Sequence, residues 1–201
     1  CDSCQQCKGG HDKVAGLLKP LPIPAKAWES ISVDFITDLP MTLDGYDSVM
    51  VVAGRLIKMT HFVPTRKDAT ALDCAKLFRR EIFRIHGCPK SIVSDRDPKF
   101  VSGLWTDFCK LIGANRDMST RFHPRTGGQT GRMNRFLEDV LCHYVAPHQQ
   151  NWNDHLDTAE FAVNNAVNES TGYTPFYLNY GYPPLKPGTL YDTPKMSPGE
   201  T

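Results

Sequence analysis

Hydrophobic and polar positions along the first half of the chain follow the short alternating or wholly apolar runs that are typical of β-strands. Such runs cover residues 31–39, 46–53 and 60–64, and Asp44-Gly45 supplies turn chemistry between the first two. A short apolar run at residues 91–95 predicts a fourth strand. Three consecutive strands with short connections predict an antiparallel meander.

Apolar residues that recur every three or four positions predict helices in the rest of the chain. These helices cover residues 71–86, 103–112, 129–145 and 151–168, and residues 118–120 are predicted as a fifth strand. The first helix is expected to bury Leu72, Ala75, Phe78, Ile82 and Ile85. From Thr171 onward the chain carries six prolines and is predicted to be irregular.

The order of elements, with strands first and helices then alternating with strands, predicts an α/β fold in which helices flank a mixed sheet. A length of 201 residues suits one domain. Hydrophobic residues make up 40% and charged residues 22%, which excludes a chain disordered throughout. No apolar run approaches the roughly 20 residues of a membrane helix. A glycine-rich phosphate-binding motif is also absent from the sequence.

Two acidic residues stand where the pattern predicts buried positions. Asp34 lies inside an apolar strand, and Asp95 ends a strand that is expected to be central. Burying an ionised carboxylate costs several kcal/mol unless a cation or hydrogen-bond donors compensate. Two such carboxylates suit Mg²⁺ or Mn²⁺, which prefer oxygen ligands and act in pairs on phosphodiesters. The alternative is that Asp95 is a turn residue and that Asp34 bonds to a local donor.

Several ordered motifs give the chain a specific resemblance. They are ISVDFI from Ile31, HGCP from His86, VSDRDPKF from Val93, MSTRFHP from Met118, GQT from Gly128, EFA from Glu160, STGYTPF from Ser170 and YG from Tyr180. In these motifs the chain closely resembles the integrases of gypsy-type long-terminal-repeat retrotransposons, within the retroviral integrase superfamily. The resemblance covers nearly the whole chain.

This resemblance implies a ribonuclease H-like core with a mixed five-stranded sheet and a need for two divalent ions. It implies a polynucleotidyl transfer reaction, in which a DNA 3′ hydroxyl attacks a phosphodiester of target DNA after hydrolytic trimming of the element's ends. It also implies DNA partners, a homo-oligomer and a nuclear location. We expect residues 1–27 to be the remnant of a zinc-binding module plus a proline-rich linker, residues 28–170 the catalytic core, and residues 171–201 a proline-rich extension.

The family's three catalytic acids match this chain at only two positions. Asp34 and Asp95 correspond to the first two acids, and the third, 35 residues beyond the second, falls on Gly131. Glu138 lies seven residues further on, about 10 Å away along a helix, which is too far to replace it. We therefore expect a weakened metal site and little or no strand transfer. A second departure is Gly54, where the family commonly has an aspartate.

Positive charge is concentrated in one segment of a chain whose net charge is only +1. Residues 116–135 hold five arginines and one acid. The segment precedes and enters the helix expected to carry the third acid, so we expect salt-sensitive, sequence-tolerant contacts with DNA phosphates. The candidate contact residues are Arg121, His123, Arg125, Gln129, Arg132, Asn134 and Arg135. Pairing of Arg132 or Arg135 with acids of the same helix is the alternative, and His123 either positions a phosphate or caps the loop.

Seven cysteines without a secretory pattern favour a reducing compartment over disulfides. Cys1 and Cys4 form a Cys-x-x-Cys pair, which is half of a tetrahedral zinc site. The pair resembles the end of the family's amino-terminal His-His-Cys-Cys module. Since the two histidines would precede Cys1, we expect zinc only in a longer chain.

Two other function classes remain open at this point. A non-catalytic DNA-binding or assembly module, retained after the third acid was lost, has the same fold. A ribonuclease H or unrelated nuclease is a weaker alternative, because such sites normally use more acids than Asp34 and Asp95.

Overall fold

The computed structural model describes residues 22–94, 100, 102–118, 137 and 150–185. Five strands in this part of the chain form one sheet. They are β1 (Ser30–Ile36), β2 (Ser48–Gly54), β3 (Thr60–Thr65), β4 (Ser91–Ser94) and β5 (Asn115–Met118). Their order across the sheet is β3-β2-β1-β4-β5, so β1 is the central strand.

Both halves of the sheet follow the predicted α/β architecture. The first three strands form an antiparallel meander, and β4 and β5 are added parallel to β1. β4 and β5 begin at the same end of the sheet as β1, because a helical segment precedes each of them and returns the chain to that end. The predicted mixed, five-stranded sheet with flanking helices is therefore confirmed.

The helices of the described residues lie between and after these strands. They are α1 (Ala71–Phe78), a π-helical turn (Arg79–Phe83) and α2 (Arg84–His86), which follow one another directly, then α3 (Gly103–Leu111), a 3₁₀ turn (Trp152–His155), α4 (Leu156–Asn165) and α5 (Pro175–Tyr180). Thr70 starts α1 with a capping box, in which its hydroxyl accepts from the N–H of Asp73 and the Asp73 side chain accepts in return. Ser102 caps α3 in a similar way, by accepting from the N–H of Trp105.

A hydrophobic layer covers each face of the sheet. On one face, Val33, Met50 and Ile92 pack against Phe78 of α1 and Trp105 of α3. On the other face, residues of β1 and β2 pack against α4 and the 3₁₀ turn; the layer contains Ile36, Val49, Val51, Leu137, Trp152, Leu156, Ala159 and Val163. Successive strand residues alternate between the two layers, as the strand pleat requires.

Two expectations about the first layer were wrong. Leu72 and Ile85 are half exposed, and Ala71 and Cys74 are buried in addition to Ala75, Phe78 and Ile82, for which the predicted burial is confirmed. β5 begins at Asn115, three residues before the predicted start. Gly113 adopts a φ of +72° directly after α3, which turns the chain so sharply that the N–H of Asn115 already donates to the carbonyl of Lys90, 2.6 Å away.

The region after Thr171 was predicted to be irregular, but it contains the helix α5. The Thr174 hydroxyl accepts from the N–H of Tyr177, and Pro175 occupies the first turn, where a missing N–H costs nothing. The helix docks onto the sheet layer through Phe176 and Leu178. The indole N–H of Trp28 adds a hydrogen bond of 2.9 Å to the side chain of Asn179.

Side chains of α4 close the exposed edge of the sheet at β3. Asn164 accepts from the N–H of Thr60 and donates to its carbonyl, both at 2.8 Å. Glu160 accepts from the N–H of Phe62 at 2.9 Å, and the next outward position is Pro64, which has no N–H. The edge strand therefore offers a neighbouring chain no free N–H at these positions, which disfavours edge-to-edge aggregation.

Replacing Asn164 with leucine is expected to lower the free energy of unfolding by roughly 2 to 4 kcal/mol, because two buried backbone groups of Thr60 lose their partner. Urea denaturation measures the change. Asn164→Asp retains the acceptor and is expected to cost less, and Asn165→Leu is the matched control on the same helix. Equal unfolding midpoints for Asn164→Leu and Asn165→Leu would contradict this role of Asn164.

Candidate active site

Asp34 lies on the central strand of the sheet, two residues before β1 ends. It is half buried, and its Oδ1 accepts a hydrogen bond of 2.9 Å from the N–H of Phe35. The end of the strand is held by Ser48, whose hydroxyl donates to the carbonyl of Ile36 at 2.8 Å. Asp34 thus occupies a position that the backbone of the sheet fixes from both sides.

The face of the sheet to which Asp34 belongs follows from strand pairing. Its partner on β2 is Val51, and side chains of directly paired residues lie on the same face. Val51 belongs to the layer that also contains Ile36 and the wholly buried Leu137. Asp34 is therefore on the α4 side of the sheet, in the layer to which Leu137 contributes.

Both flanks of the segment that contains the second acid lie beside Asp34. Ser94, the last residue of β4, pairs with Val33, the residue before Asp34. Phe100 stacks on Phe35, the residue after Asp34, with ring centroids 5.0 Å apart. Ser94 and Phe100, the described residues on either side of positions 95–99, thus contact the two neighbours of Asp34 on β1.

The other residues predicted from the sequence lie outside the part of the chain that the structure describes. They are Asp95 and the third position Gly131, the candidate nucleic-acid contacts Arg121, His123, Arg125, Gln129, Arg132, Asn134 and Arg135, and the zinc half-site Cys1 and Cys4. Within the described ranges, no group of three or more histidines, cysteines or acids is arranged to hold a metal ion.

Two further residues named in the sequence analysis, Arg116 and Gly54, lie away from Asp34. Arg116, the first arginine of the basic segment, donates to the carbonyl of Phe100 at 3.0 Å and to the hydroxyl of Thr106 at 2.5 Å. It therefore ties β5 to α3. Gly54 pairs with Ile31 at the far end of β1 from Asp34, about 10 Å along the strand, so its lack of a carboxylate does not affect the Asp34 region.

The chain has relatives among transposon polyproteins, whereas no known protein-family model matches it. It is 36% identical over 184 residues to the Tf2-3 transposon polyprotein of Schizosaccharomyces pombe, strain 972, and the Tf2-4 polyprotein of the same yeast has the same identity. The match covers 92% of this chain and 14% of each polyprotein, so the chain spans a small part of these relatives.

Solved structures with the same fold are retroviral integrases. The chain is 16% identical to the HTLV-2 integrase catalytic core domain in complex with magnesium, in its dimeric form, with a TM-score of 0.60 over 78% of this chain and 99% of that one. A chain of the simian T-cell lymphotropic virus intasome in complex with PP2A regulatory subunit B56 gamma is 17% identical, with a TM-score of 0.65. The match covers 100% of this chain and 68% of that one. These likenesses establish the integrase core fold, which is ribonuclease H-like. The chain is thus related in sequence to retrotransposon polyproteins and shares its fold with retroviral integrase catalytic cores.

The fold also contains a polar cluster that the sequence analysis did not anticipate. His61 of β3 is within 2.8 Å of Glu160 through Nδ1 and within 2.8 Å of His86 through Nε2. Trp28 stacks on the imidazole of His86, with centroids 3.5 Å apart and an interplanar angle of 11°. His86 and Glu160 each belong to a family-like motif, but separations of 25 and 99 residues from His61 hide the cluster from sequence patterns.

The hydrogen bonds of the cluster restrict where its protons lie. An ionised carboxylate only accepts, so Nδ1 of His61 donates to Glu160. Between the two Nε2 atoms, one nitrogen donates and the other accepts, so His61 and His86 are not both protonated on Nε2. Burial, and to a smaller extent electrostatic repulsion from the neighbouring His61, lowers the pKa of His86 from 6.5 to about 4. The cluster therefore holds His86 neutral and joins β3, α2 and α4.

Low pH is expected to destabilise the folded chain through His86. In the unfolded chain His86 takes up a proton near pH 6.5, whereas in the folded chain it does so only near pH 4. Its contribution to stability is therefore complete above pH 6.5 and is lost progressively as the pH falls toward 4. Urea unfolding between pH 7 and pH 4 measures the loss, which should be smaller in His86→Gln. Cys88→Ser, two residues further along, is the control and should follow the parent; a His86→Gln profile parallel to that of the parent would contradict the assignment.

Proposed function

We propose that this chain is the DNA strand-transfer core of a retrotransposon integrase, with Asp34 and Asp95 as its catalytic acids. The observation that carries the proposal is the location of Asp34 between Val33, which pairs with Ser94, and Phe35, which stacks on Phe100. The chain between Ser94 and Phe100 starts with Asp95, and consecutive Cα atoms are about 3.8 Å apart. Two carboxylates from the neighbouring parallel strands β1 and β4 would then meet at the carboxyl ends of these strands.

The two acids fit a divalent cation. Carboxylate oxygens are hard ligands, and Mg²⁺ typically binds one or two carboxylates while water and substrate phosphates complete its shell. The HTLV-2 integrase core is recorded in complex with magnesium, which supports the same cofactor class for this chain. Bound Mg²⁺ or Mn²⁺ would supply Lewis-acid stabilisation of the phosphodiester being attacked. Asp34 and Asp95 would hold the ion, and the strand backbone keeps Asp34 in position.

In the proposed reaction, a 3′ hydroxyl oxygen of element DNA attacks a phosphorus of target DNA. A P–O bond to the incoming strand forms while the bond to the target's own 3′ oxygen breaks. With Gly131 at the third acidic position, only two protein carboxylates serve a site for which the family uses three. We infer that the second ion is lost or misplaced and that the chain as it stands transfers strands weakly or not at all.

The partners in this proposal are element ends and target DNA, bound through phosphates by the arginine-rich segment. HTLV-2 integrase cores are recorded in dimeric and trimeric forms, which supports self-association of this chain as well. A nuclear location follows from the reaction, because its target is chromosomal DNA. Among the described residues, the helices are too short or too polar to cross a membrane.

The second candidate is a non-catalytic DNA-binding or assembly module, and Gly131 is the observation that favours it. Metal titration and a strand-transfer assay on the parent chain and on Gly131→Glu separate the two. Metal binding that depends on Asp34, together with activity that appears in Gly131→Glu, supports an impaired integrase. DNA binding without joining activity in Gly131→Glu would support the module.

A further inference from the structure

A basic groove of about 960 Å³ lies along the edge of the sheet, far in the chain from the arginine-rich segment. The end of β3, the loop after it and the helix that contains the π turn line the groove. Its apolar lining includes Tyr46, Pro64 and Leu77, which are half buried, and Phe83, which is 39% exposed. Its cationic lining consists of exposed side chains, namely Arg66, Lys76, Arg79, Arg80 and Arg84.

The groove is more positive than the chain as a whole. Five cations and two carboxylates line it, a net charge of 5 − 2 = +3, compared with +1 for all 201 residues. Both carboxylates are already paired: Asp68 lies 2.8 Å from Arg66 and Asp73 lies 3.9 Å from Lys76. Arg79 and Arg84, by contrast, form no ion pair with any residue in the described ranges. Nε of Arg84 donates to the carbonyl of Arg80 at 3.0 Å, and the terminal nitrogens of both guanidinium groups are the positions at which an external anion could bind.

The helix is irregular at the point where it lines the groove. The N–H of Arg84 donates to the carbonyl of Arg79, five residues back, which is the hydrogen bond of a π-helix. Such turns insert an extra residue, are costly in isolation and occur often at functional sites. The π turn and the residue that caps it supply Arg79, Arg80, Phe83 and Arg84 to the groove.

We propose that the basic groove binds an acidic, amphipathic peptide segment of a partner protein. Carboxylates of the segment would pair with Arg79 and Arg84, and its apolar side chains would cover Leu77 and Phe83. Arginine clusters recognise acidic motifs in this way, and an apolar floor adds affinity through burial. This inference concerns a surface and a partner class that the proposed DNA chemistry does not use.

Charge and shape favour the peptide over two other occupants. DNA would pair with the arginines but would leave the apolar floor uncovered, because phosphates make no use of it. A second copy related by a two-fold axis would bring the same +3 surface against itself, which like-charge repulsion disfavours. A peptide that alternates carboxylates with apolar side chains satisfies both parts of the lining.

Fluorescence anisotropy tests the proposal with a fluorescein-labelled 12-residue peptide of alternating glutamate and leucine. We expect saturable binding to the chain, weakened about tenfold in the double variant Arg79→Glu/Arg84→Glu. Phe83→Ser should weaken binding about fivefold through the lost apolar contact. The control Lys26→Glu/Lys110→Glu makes the same change in net charge at exposed positions outside the groove and should bind like the parent. Circular dichroism of each variant verifies folding.

Three results would overturn the proposal. The first is absence of binding at millimolar peptide, or equal affinity for the groove and control variants. The second is full displacement of the peptide by a DNA duplex together with no effect of Phe83→Ser, which would make the groove a phosphate-binding surface. The third is a change in sedimentation of Arg79→Glu/Arg84→Glu without a change in peptide affinity, which would make it a contact between copies of the chain.

Discussion

Gly131→Glu is expected to raise the strand-transfer rate of this chain by a factor on the order of 10³ to 10⁴ in Mg²⁺ or Mn²⁺. The new glutamate restores the third carboxylate at the family spacing from Asp95, and loss of one member of a cooperating catalytic set commonly costs a factor of this size. Joining of labelled oligonucleotide ends to plasmid DNA, followed on a denaturing gel, measures the rate. The substitution also replaces glycine in a predicted helix, which should stabilise that segment by roughly 0.5 to 1 kcal/mol.

Two control variants separate the effect of the carboxylate from the effect of the side chain. Gly131→Gln has nearly the same size and helix propensity without the charge, and Gly128→Glu adds the charge three residues earlier. Both should remain at the rate of the parent. If the parent joins ends as fast as Gly131→Glu, the third acid is dispensable in this chain. If Gly131→Glu binds metal but stays inactive, the non-catalytic module becomes the better account.

Asp34→Asn is expected to weaken Mn²⁺ binding by more than about tenfold and to abolish the activity that Gly131→Glu restores, a loss on the order of 10⁴. Asparagine keeps the size of the side chain and can still accept the hydrogen bond from Phe35, so the fold should be preserved. Calorimetric titration with Mn²⁺ measures the affinity, and the joining assay in the Gly131→Glu background measures the activity.

Asp38→Asn is the matched control, since it makes the same chemical change four residues further along. Asp38 is exposed and pairs with Lys67, so its loss should affect neither metal binding nor joining. Equal Mn²⁺ affinities for Asp34→Asn and the parent would remove Asp34 from the metal site. Retained joining activity in the double variant Asp34→Asn/Gly131→Glu would exclude it as a catalytic acid.

Local chemistry made much of the fold predictable. The meander followed from runs such as Val49 to Ala53 and from Asp44-Gly45, because strand propensity and turn chemistry act over a few residues. Helix starts at Thr70 and Ser102 use side chains within three positions of the residues they cap. The wrong predictions involved contacts outside such windows. Leu72 and Ile85 fit the helical period but lie on the face turned away from the sheet, and the helix after Thr174 stays in place by docking through Phe176.

The residues of the candidate site were likewise predictable only where the signal lay in the sequence itself. Asp34 could be selected from the sequence because an acid inside an apolar strand is costly to bury, and the family spacing then pointed to Asp95 and Gly131. The cluster of His61, His86 and Glu160 could not, since its members come from three elements and show no common period. The basic groove was hidden for the same reason, because Arg66 and Arg84 belong to separate elements and only the packing of the helix beside β3 brings them together.

The sequence by itself determined which residues prefer strand, helix or turn, which family the chain resembles, and that glycine occupies position 131, where the resemblance places the third acid. Those properties reside in residue identity and in spacing along the chain. The tertiary structure alone decided that Ser94 and Phe100 flank Asp34, that Asn164 and Glu160 close the edge of β3, and that four arginines and a lysine line one groove. Contacts across many residues depend on the order in which strands pair and on how helices pack over them, and no short stretch of sequence encodes either.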